Sequence, residues 1–375
     1  MSALYLHIPF CKQACFYCDF HFSTNQNAKD EYINALCEEI ALQANYLSVK
    51  ELKSIYFGGG TPSLLSQKNL EQIFEQISHF FTWDTQTEIT LEANPDDLKI
   101  SKLRELQKIG INRLSIGIQS FNEKNLQFLH RVHSSTEAEI CVKNAQDIGL
   151  ENISIDLIYA IAASSHQIWE DDLKKALELN VSHISAYSLT IEPQTVFGNW
   201  LKKDKIKPID ESFAAEQFEI LIHTLQKAGY EHYEISNFAK NKQYAQHNTN
   251  YWLGKEYLGL GASAHSYDTF SRQYNVANNA KYIAHIQQGI VPAEKEKLSW
   301  KDKLNEYILT SLRTQWGTEK QKITEISEVD FWQLQKDILK NYQEKKWLLL
   351  EENKLLLSKE GKFFADQIAA DLFIV

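Results

Sequence analysis

Leu4-Tyr5-Leu6-His7-Ile8-Pro9-Phe10-Cys11-Lys12-Gln13-Ala14-Cys15-Phe16-Tyr17-Cys18 sets a short apolar run directly before three closely spaced cysteines. Pro9 has no amide hydrogen to give a ladder, so it stops the strand and leaves the cysteines in a loop at that strand's C-terminal end. Zinc sites normally draw four thiolate or imidazole ligands from paired knuckles, and no second pair follows here. Three thiolates in one C-x3-C-x2-C triplet suit an iron-sulfur cubane with one open iron, to which a small molecule can bind. The remaining cysteines, Cys37 and Cys141, sit on helical patterns and read as core packing.

Working outward, β-branched or aromatic runs at residues 4–8, 54–57, 88–91, 113–116, 152–157 and 183–189 alternate with amphipathic stretches. In residues 30–46, Tyr32, Ile33, Leu36, Ile40 and Ala44 recur at the three-to-four spacing of a helix face, and residues 67–80 do likewise. Repeated βα units joined by right-handed crossovers predict an α/β fold, a partial (β/α)6 TIM-like barrel whose functional residues sit at strand C-termini. A further helix is expected over 212–228 and a strand over 230–235. Past residue 240 the rhythm is lost: helical patterns at 301–313 and 330–343 precede two short apolar strands at 346–350 and 354–357. The expected organisation is a core over 1–240 and a smaller α+β C-terminal domain with a β-hairpin wing over 241–375. Glu351, Glu352 and Glu360 flank that hairpin, so it reads as a packing appendage and not a DNA reader.

The chain has 375 residues, 43% of them hydrophobic, enough to exclude disorder as its main state. Its 39 basic residues against 49 acidic ones give a net charge of -10, which argues against a surface built for phosphate backbones and hence against nucleic acid as a partner. The longest apolar stretch, 153–163, is interrupted by Asp156 and is too short for a membrane span. The first residues lack a basic n-region and a cleavage site, so a cytoplasmic location is expected.

Several residues at the expected strand ends carry chemistry. Gly58-Gly59-Gly60-Thr61-Pro62 follows the second strand, where glycines allow close backbone approach to a ligand. No Gly-Lys-Ser/Thr follows, so a nucleotide-triphosphate loop is excluded. Glu92, Gln119 and Asp156 each stand as a polar residue at the end of an apolar run. Burying such groups unpaired costs on the order of several kcal/mol, so three of them at neighbouring strand ends point to one shared pocket.

The Cys11, Cys15 and Cys18 spacing, with aromatic Tyr17 before the third cysteine, resembles the radical S-adenosylmethionine (SAM) family. Within it the chain is similar to the subgroup of oxygen-independent coproporphyrinogen III oxidases, and most to a shorter heme chaperone branch, over nearly its whole length. The resemblance implies a 4Fe-4S cluster on the three cysteines, SAM on the open iron through its amino and carboxylate groups, and electron transfer that cleaves SAM to a 5'-deoxyadenosyl radical. It assigns Tyr5, Tyr17, Gly59, Gly60, Thr61, Glu92, Gln119, Arg131 and Asp156 to the cofactor site, with Arg131 facing the SAM carboxylate because a guanidinium is planar and bidentate. Two positions depart from the pattern. Relatives carry Leu-Gly-Arg where this chain has Leu129-His130-Arg131, and Gly-Leu-Pro-Gly where it has Ala160-Ile161-Ala162-Ala163.

The oxidase branch carries a further cysteine two residues after the third and an N-terminal extension. Phe20 occupies that position here, and Cys11 lies ten residues from the start. Both features favour a heme chaperone over coproporphyrinogen III dehydrogenase, the alternative. His247-Asn248-Thr249-Asn250-Tyr251-Trp252 matches the chaperone branch's H-N-x-x-Y-W motif and makes His247 the expected heme ligand, because imidazole is a standard axial ligand. His265 is a second candidate, while His7, His21, His130 and His133 read as supporting or solvated. The resemblance names heme and heme-receiving apoproteins, respiratory ones included, as partners, and it allows a membrane-associated recipient and a homodimer.

Overall fold

The computed structural model describes residues 2–375. Its six apolar runs form parallel strands lying side by side in chain order: β1 (Ser2–Ile8), β2 (Leu52–Gly59), β3 (Glu88–Ala93), β4 (Arg113–Gln119), β5 (Ile153–Tyr159) and β6 (His183–Ser188). Period-two alternation sorts their side chains. Leu4, Leu6, Ile55, Phe57, Leu91, Leu114, Ile116, Ile153 and Ile155 are buried in the main core that the crossover helices cover. Each such side chain contributes roughly 1.5–3 kcal/mol when removed from water. The opposite face carries Tyr5, His7, Tyr56, Thr90, Glu92, Arg113, Ser115 and Asp156, so the lumen of the partial barrel is polar.

Helices Lys29–Leu42, Gln67–Ser78, Ile100–Ile109, Ser135–Asp147 and Gln167–Glu178 follow the strands in turn. Two of them begin at full capping boxes, Ser66 with Asn69 and Ser134 with Glu137, where the side chains satisfy amides left free by the first turn. After helix Glu211–Lys227 come β7 (Glu231–Glu234) and β8 (Asn237–Ala239), an antiparallel pair that extends the sheet beyond β6.

The sheet also extends from its other flank. β9 (Tyr257–Leu260) pairs in parallel with β1, and β10 (His265–Tyr267), β11 (Ser271–Asn275) and β12 (Ala293–Lys297) follow antiparallel, giving twelve strands in all. The first packed body therefore runs well past residue 240: Leu258, Leu260, Tyr282 and Ile286 belong to the main core, and a separate core starts at Leu304. These strands are three to five residues long, the first three are joined by tight turns, and the helix Asn279–Ile286 before β12 connects an antiparallel pair, so they carry no βα signature. The outermost, Ala-Glu-Lys-Glu-Lys, bears the charges that keep an edge strand from pairing with other chains.

Glu39 ties this extension to the first helix. Its buried carboxylate accepts from Gln43 Nε2 at 2.8 Å, Asn275 Nδ2 at 2.7 Å, the Gly261 amide at 2.7 Å and the Tyr282 hydroxyl at 2.6 Å. The second body packs helices Trp300–Leu312, Lys336–Glu344 and Ala365–Asp371 around Leu304, Ile308, Phe331 and Ile368. Its small sheet is β13 (Thr318–Glu319), β14 (Leu348–Glu351) and β15 (Lys354–Leu357), and the expected hairpin is buried there through Leu348 and Leu355. Among the described residues no helix is long and apolar enough to cross a membrane.

Candidate cluster and cofactor site

The three-cysteine loop leaves β1 at the strands' C-terminal rim and is pinned on both sides. The Cys11 amide donates to Ser23 O at 3.0 Å and the Ser23 amide to Pro9 O at 2.8 Å, closing the loop on itself. The Gly60 amide donates to Ile8 O at 2.9 Å and the Thr61 amide to Phe10 O at 2.8 Å, which prolongs the β1–β2 pairing into the loop. A Cβ on Gly60 would sit 2.8 Å from Ile8 O and Phe10 N, so this close approach requires glycine. Gly59 has φ +106°, a conformation that side chains disfavour, and its Cβ position is filled by the His7 ring.

All three thiols are half-buried and free of disulfides. A ring of hydrogen bonds surrounds them. Thr61 Oγ1 donates to Cys11 Sγ at 3.5 Å and accepts from Asn94 Nδ2 at 3.4 Å. Asn94 Oδ1 in turn accepts from Arg131 Nη2 at 2.6 Å, while Arg131 Nη1 reaches Cys15 Sγ at 3.3 Å and the Tyr17 hydroxyl at 3.4 Å. Desolvation pushes the Cys18 thiol up to about 12 and raises Cys11 as well, so iron binding here would displace protons from the sulfurs.

These residues fit the group the family implies. Arg131 Nε is buried without a partner, a donor aimed at nothing the chain supplies. Among the described residues, no three His, Cys, Asp or Glu side chains converge on a single ion, as a mononuclear zinc centre would need. A cubane takes each thiolate on a different iron and makes no such demand.

The rim acids lie beside the loop. Glu92, at the end of β3, accepts from the Tyr56 hydroxyl at 2.7 Å and the Gly59 amide at 3.1 Å. Burial, with the Asp156 charge adding to it, lifts its carboxyl from 4.5 to about 7. Asp156 on β5 is raised by burial too, and Ser115 Oγ donates to it at 3.3 Å. Gln119 closes β4 at φ +69°, beside a register shift that turns its side chain at the rim. Tyr5 lies beneath, stacked on Tyr56 with ring centroids 6.0 Å apart, its hydroxyl 3.2 Å from His7 Nδ1. Asn94 and Tyr56 were missed in the sequence. Asn94 precedes Pro95 at a strand end, and Tyr56 precedes the glycine run, which are the only local signals they give.

The two departures from the family pattern have a physical account. His130 stands at φ +59° and Ala160 at φ +63°, the left-handed region that glycine occupies without cost. His130 gains compensating contacts: its ring stacks on Phe16 at 4.1 Å, and Nδ1 lies 2.7 Å from Ala14 O. Ala160 has no side-chain compensation; its amide donates to Gln217 Oε1 at 2.6 Å.

His247, the expected heme ligand, is enclosed in the lumen. Its ring is 1% exposed, with Nδ1 2.8 Å from Ser54 Oγ and Nε2 2.7 Å from the Tyr251 hydroxyl, so both nitrogens are engaged by side chains. The helix Gln246–Trp252 enters the lumen because the Glu88 carboxylate accepts the Gln246 and His247 amides at 2.9 Å each. His247 stacks on Tyr56 at 4.8 Å and thereby stands behind Glu92. Cys37 and Cys141 are buried in the main core, as expected. Two surface grooves, one lined by Asn34, Cys37 and Leu42 and one by Glu151, Lys242 and Tyr244, lie away from this chemistry.

A partial barrel of parallel strands with three thiols in the loop after its first strand defines a radical SAM core. The Radical SAM superfamily model matches residues 5–176, and the HemN C-terminal domain model matches residues 298–364. The heme chaperone HemW of Bacillus subtilis is 34% identical over 371 residues, covering 98% of both chains. The heme chaperone HemW of Escherichia coli is 38% identical over 270 residues, 72% of this chain and 70% of that one. The structure of E. coli coproporphyrinogen III oxidase (HemN) superposes with a TM-score of 0.86 at 21% identity, covering 99% of this chain and 90% of that chain, a likeness of fold. The chain belongs to the HemW family of radical SAM proteins.

Proposed function

We propose that this protein is a heme chaperone that carries a 4Fe-4S cluster and SAM and passes heme to apoproteins such as respiratory-chain hemoproteins. The observation that carries this reading is the end-to-end match to a heme chaperone HemW. The rim supports it. Cys11, Cys15 and Cys18 would hold the cluster, and when bound the cluster and SAM supply one-electron chemistry. Arg131, with Nε unpaired, would take the SAM carboxylate. Glu92, held by Tyr56 and Gly59, presents an acceptor for the SAM amine or ribose alongside Gln119 and Asp156. Phe20, exposed where the oxidase branch has its fourth cysteine, adds no ligand to the loop. A cytoplasmic location, a self-associating dimer and a membrane-associated recipient belong to the same reading.

Anaerobic reconstitution followed by parallel assays tests it. A hemin-dependent Soret band with no conversion of coproporphyrinogen III is the expected result. Absence of hemin binding at micromolar protein, or protoporphyrinogen IX formation with SAM consumption, would replace the chaperone reading with the dehydrogenase one or with neither.

A further inference from the structure

With His247 enclosed, and with His7 and His183 on the lumen face holding ring hydrogen bonds to Tyr5, His21 O, Ser154 and Tyr233, the sheet offers one further imidazole on that face without such partners. β10 begins at His265, directly after the turn that ends β9, and β9 runs parallel to β1, so His265 stands at the same rim as the cysteine loop. It pairs across the sheet with Tyr274, while Tyr267 pairs with both Arg272 and Tyr257, and Tyr257 pairs with Ala3. Paired residues share a face, which places His265 on the side that bears Tyr5 and His7. Two strand spacings separate β10 from β1, about 10 Å.

His265 is exposed and its ring nitrogens make no hydrogen bond among the described residues. The other exposed histidines, His79, His223 and His285, lie on helices or at a helix end outside the sheet. The Tyr274 ring lies 5.8 Å from that of His265, and Tyr274 is 37% exposed. The cysteine loop reaches the same corner: His21 Nε2 lies 2.7 Å from Asn279 Oδ1, just past the end of β11, and the next residue back, Phe20, is 73% exposed. An unengaged imidazole beside the exposed Tyr274 ring, at a corner reached by the loop that carries the exposed Phe20, has the donor and a flat apolar surface that a metalloporphyrin takes.

We propose that His265 is the axial ligand for heme, with Phe20 and Tyr274 flanking the macrocycle at this corner of the rim. The inference rests on the heme-carrying reading above. Partial burial and the Arg272 charge lower the pKa of His265, which keeps the ring neutral and its lone pair available at pH 7. Heme there would sit beside the cysteine loop, because Phe20 follows Cys18 by two residues.

Hemin titration of the reconstituted protein, read by the Soret band, tests this. Wild type is expected to bind, His265→Ala to bind at least tenfold more weakly, and added imidazole to restore the wild-type band in that variant. His265→Cys is expected to move the band, since thiolate replaces nitrogen on the iron; a packing role would leave the band position alone. Unchanged binding and band position in His265→Ala with wild type binding normally would overturn the assignment alone. Loss of binding in His247→Ala with His265→Ala unaffected would return the ligand to His247. No binding by wild type would remove both this assignment and the chaperone reading.

Discussion

The Tyr56 hydroxyl donates to Glu92 Oε1 at 2.7 Å, and the His247 ring is stacked behind Tyr56 at 4.8 Å. The H-N-x-x-Y-W motif thus acts on the rim through a tyrosine. Tyr56→Phe removes only the hydroxyl, and a hydrogen bond to a charged group is worth about 1.5–3 kcal/mol. SAM affinity is expected to fall about tenfold while iron content stays at the wild-type level, measured by equilibrium binding on the reconstituted protein.

Glu92 gives that site a pH dependence. Its folded pKa of about 7 lies above the ordinary 4.5, so the protonated carboxyl favours the folded ligand-free protein. That contribution is fully present below 4.5 and is lost as pH rises through 7. SAM brings a positive charge and needs the carboxylate, so the opposite trend is expected for binding: affinity rising between pH 6 and pH 8. A Glu92→Gln variant should show neither trend. Thermal melts and SAM titrations across this range read the two slopes.

Changing Cys11, Cys15 or Cys18 to Ala is expected to abolish cluster loading. Cys37→Ala and Cys141→Ala, in the main core, should retain full iron and sulfide and lose only a modest amount of stability. Equal iron content in all five variants would refute the ligand set.

Ala160→Gly should stabilise the protein by about 1 kcal/mol, because the residue stands at φ +63° and only its amide is engaged. His130→Gly relieves the same strain yet loses the ring stacked on Phe16, so it should bring no gain. Urea midpoints distinguish the two.

Glu39→Ala strands four donors from four segments in the core and is expected to cost on the order of 3 kcal/mol or more. The loss should appear as a lower urea midpoint, and faster amide exchange at Gly261 should accompany it.

The first six strands and the cysteine loop were legible because their signals are local: alternation with a period of two, a proline after the strand, and polar residues at strand ends. Glu92 lies at its strand end as that reading expects, whereas Asp156 stands in the middle of β5, which runs on to Tyr159. The extension through β9–β12 was not legible, because β9 earns its place by pairing with a strand at the other end of the sequence, and pairing partners leave no mark on a strand of four residues. The enclosure of His247 was illegible for the same reason. A histidine beside tyrosine and tryptophan reads as a surface binding motif, and only the Glu88 carboxylate that draws its helix into the lumen shows otherwise.

Ala3 pairs with Tyr257, so the N-terminal strand acquires its second neighbour from a segment made more than two-thirds of the way through synthesis. Until then one flank of β1 is an open ladder, and the thiols that follow it emerge on a half-finished scaffold. Ribosome-bound chains stalled before Leu258 should therefore present this strand to chaperones and proteases, and loading of metal during translation would meet a loop still accessible from the side that β9 later closes.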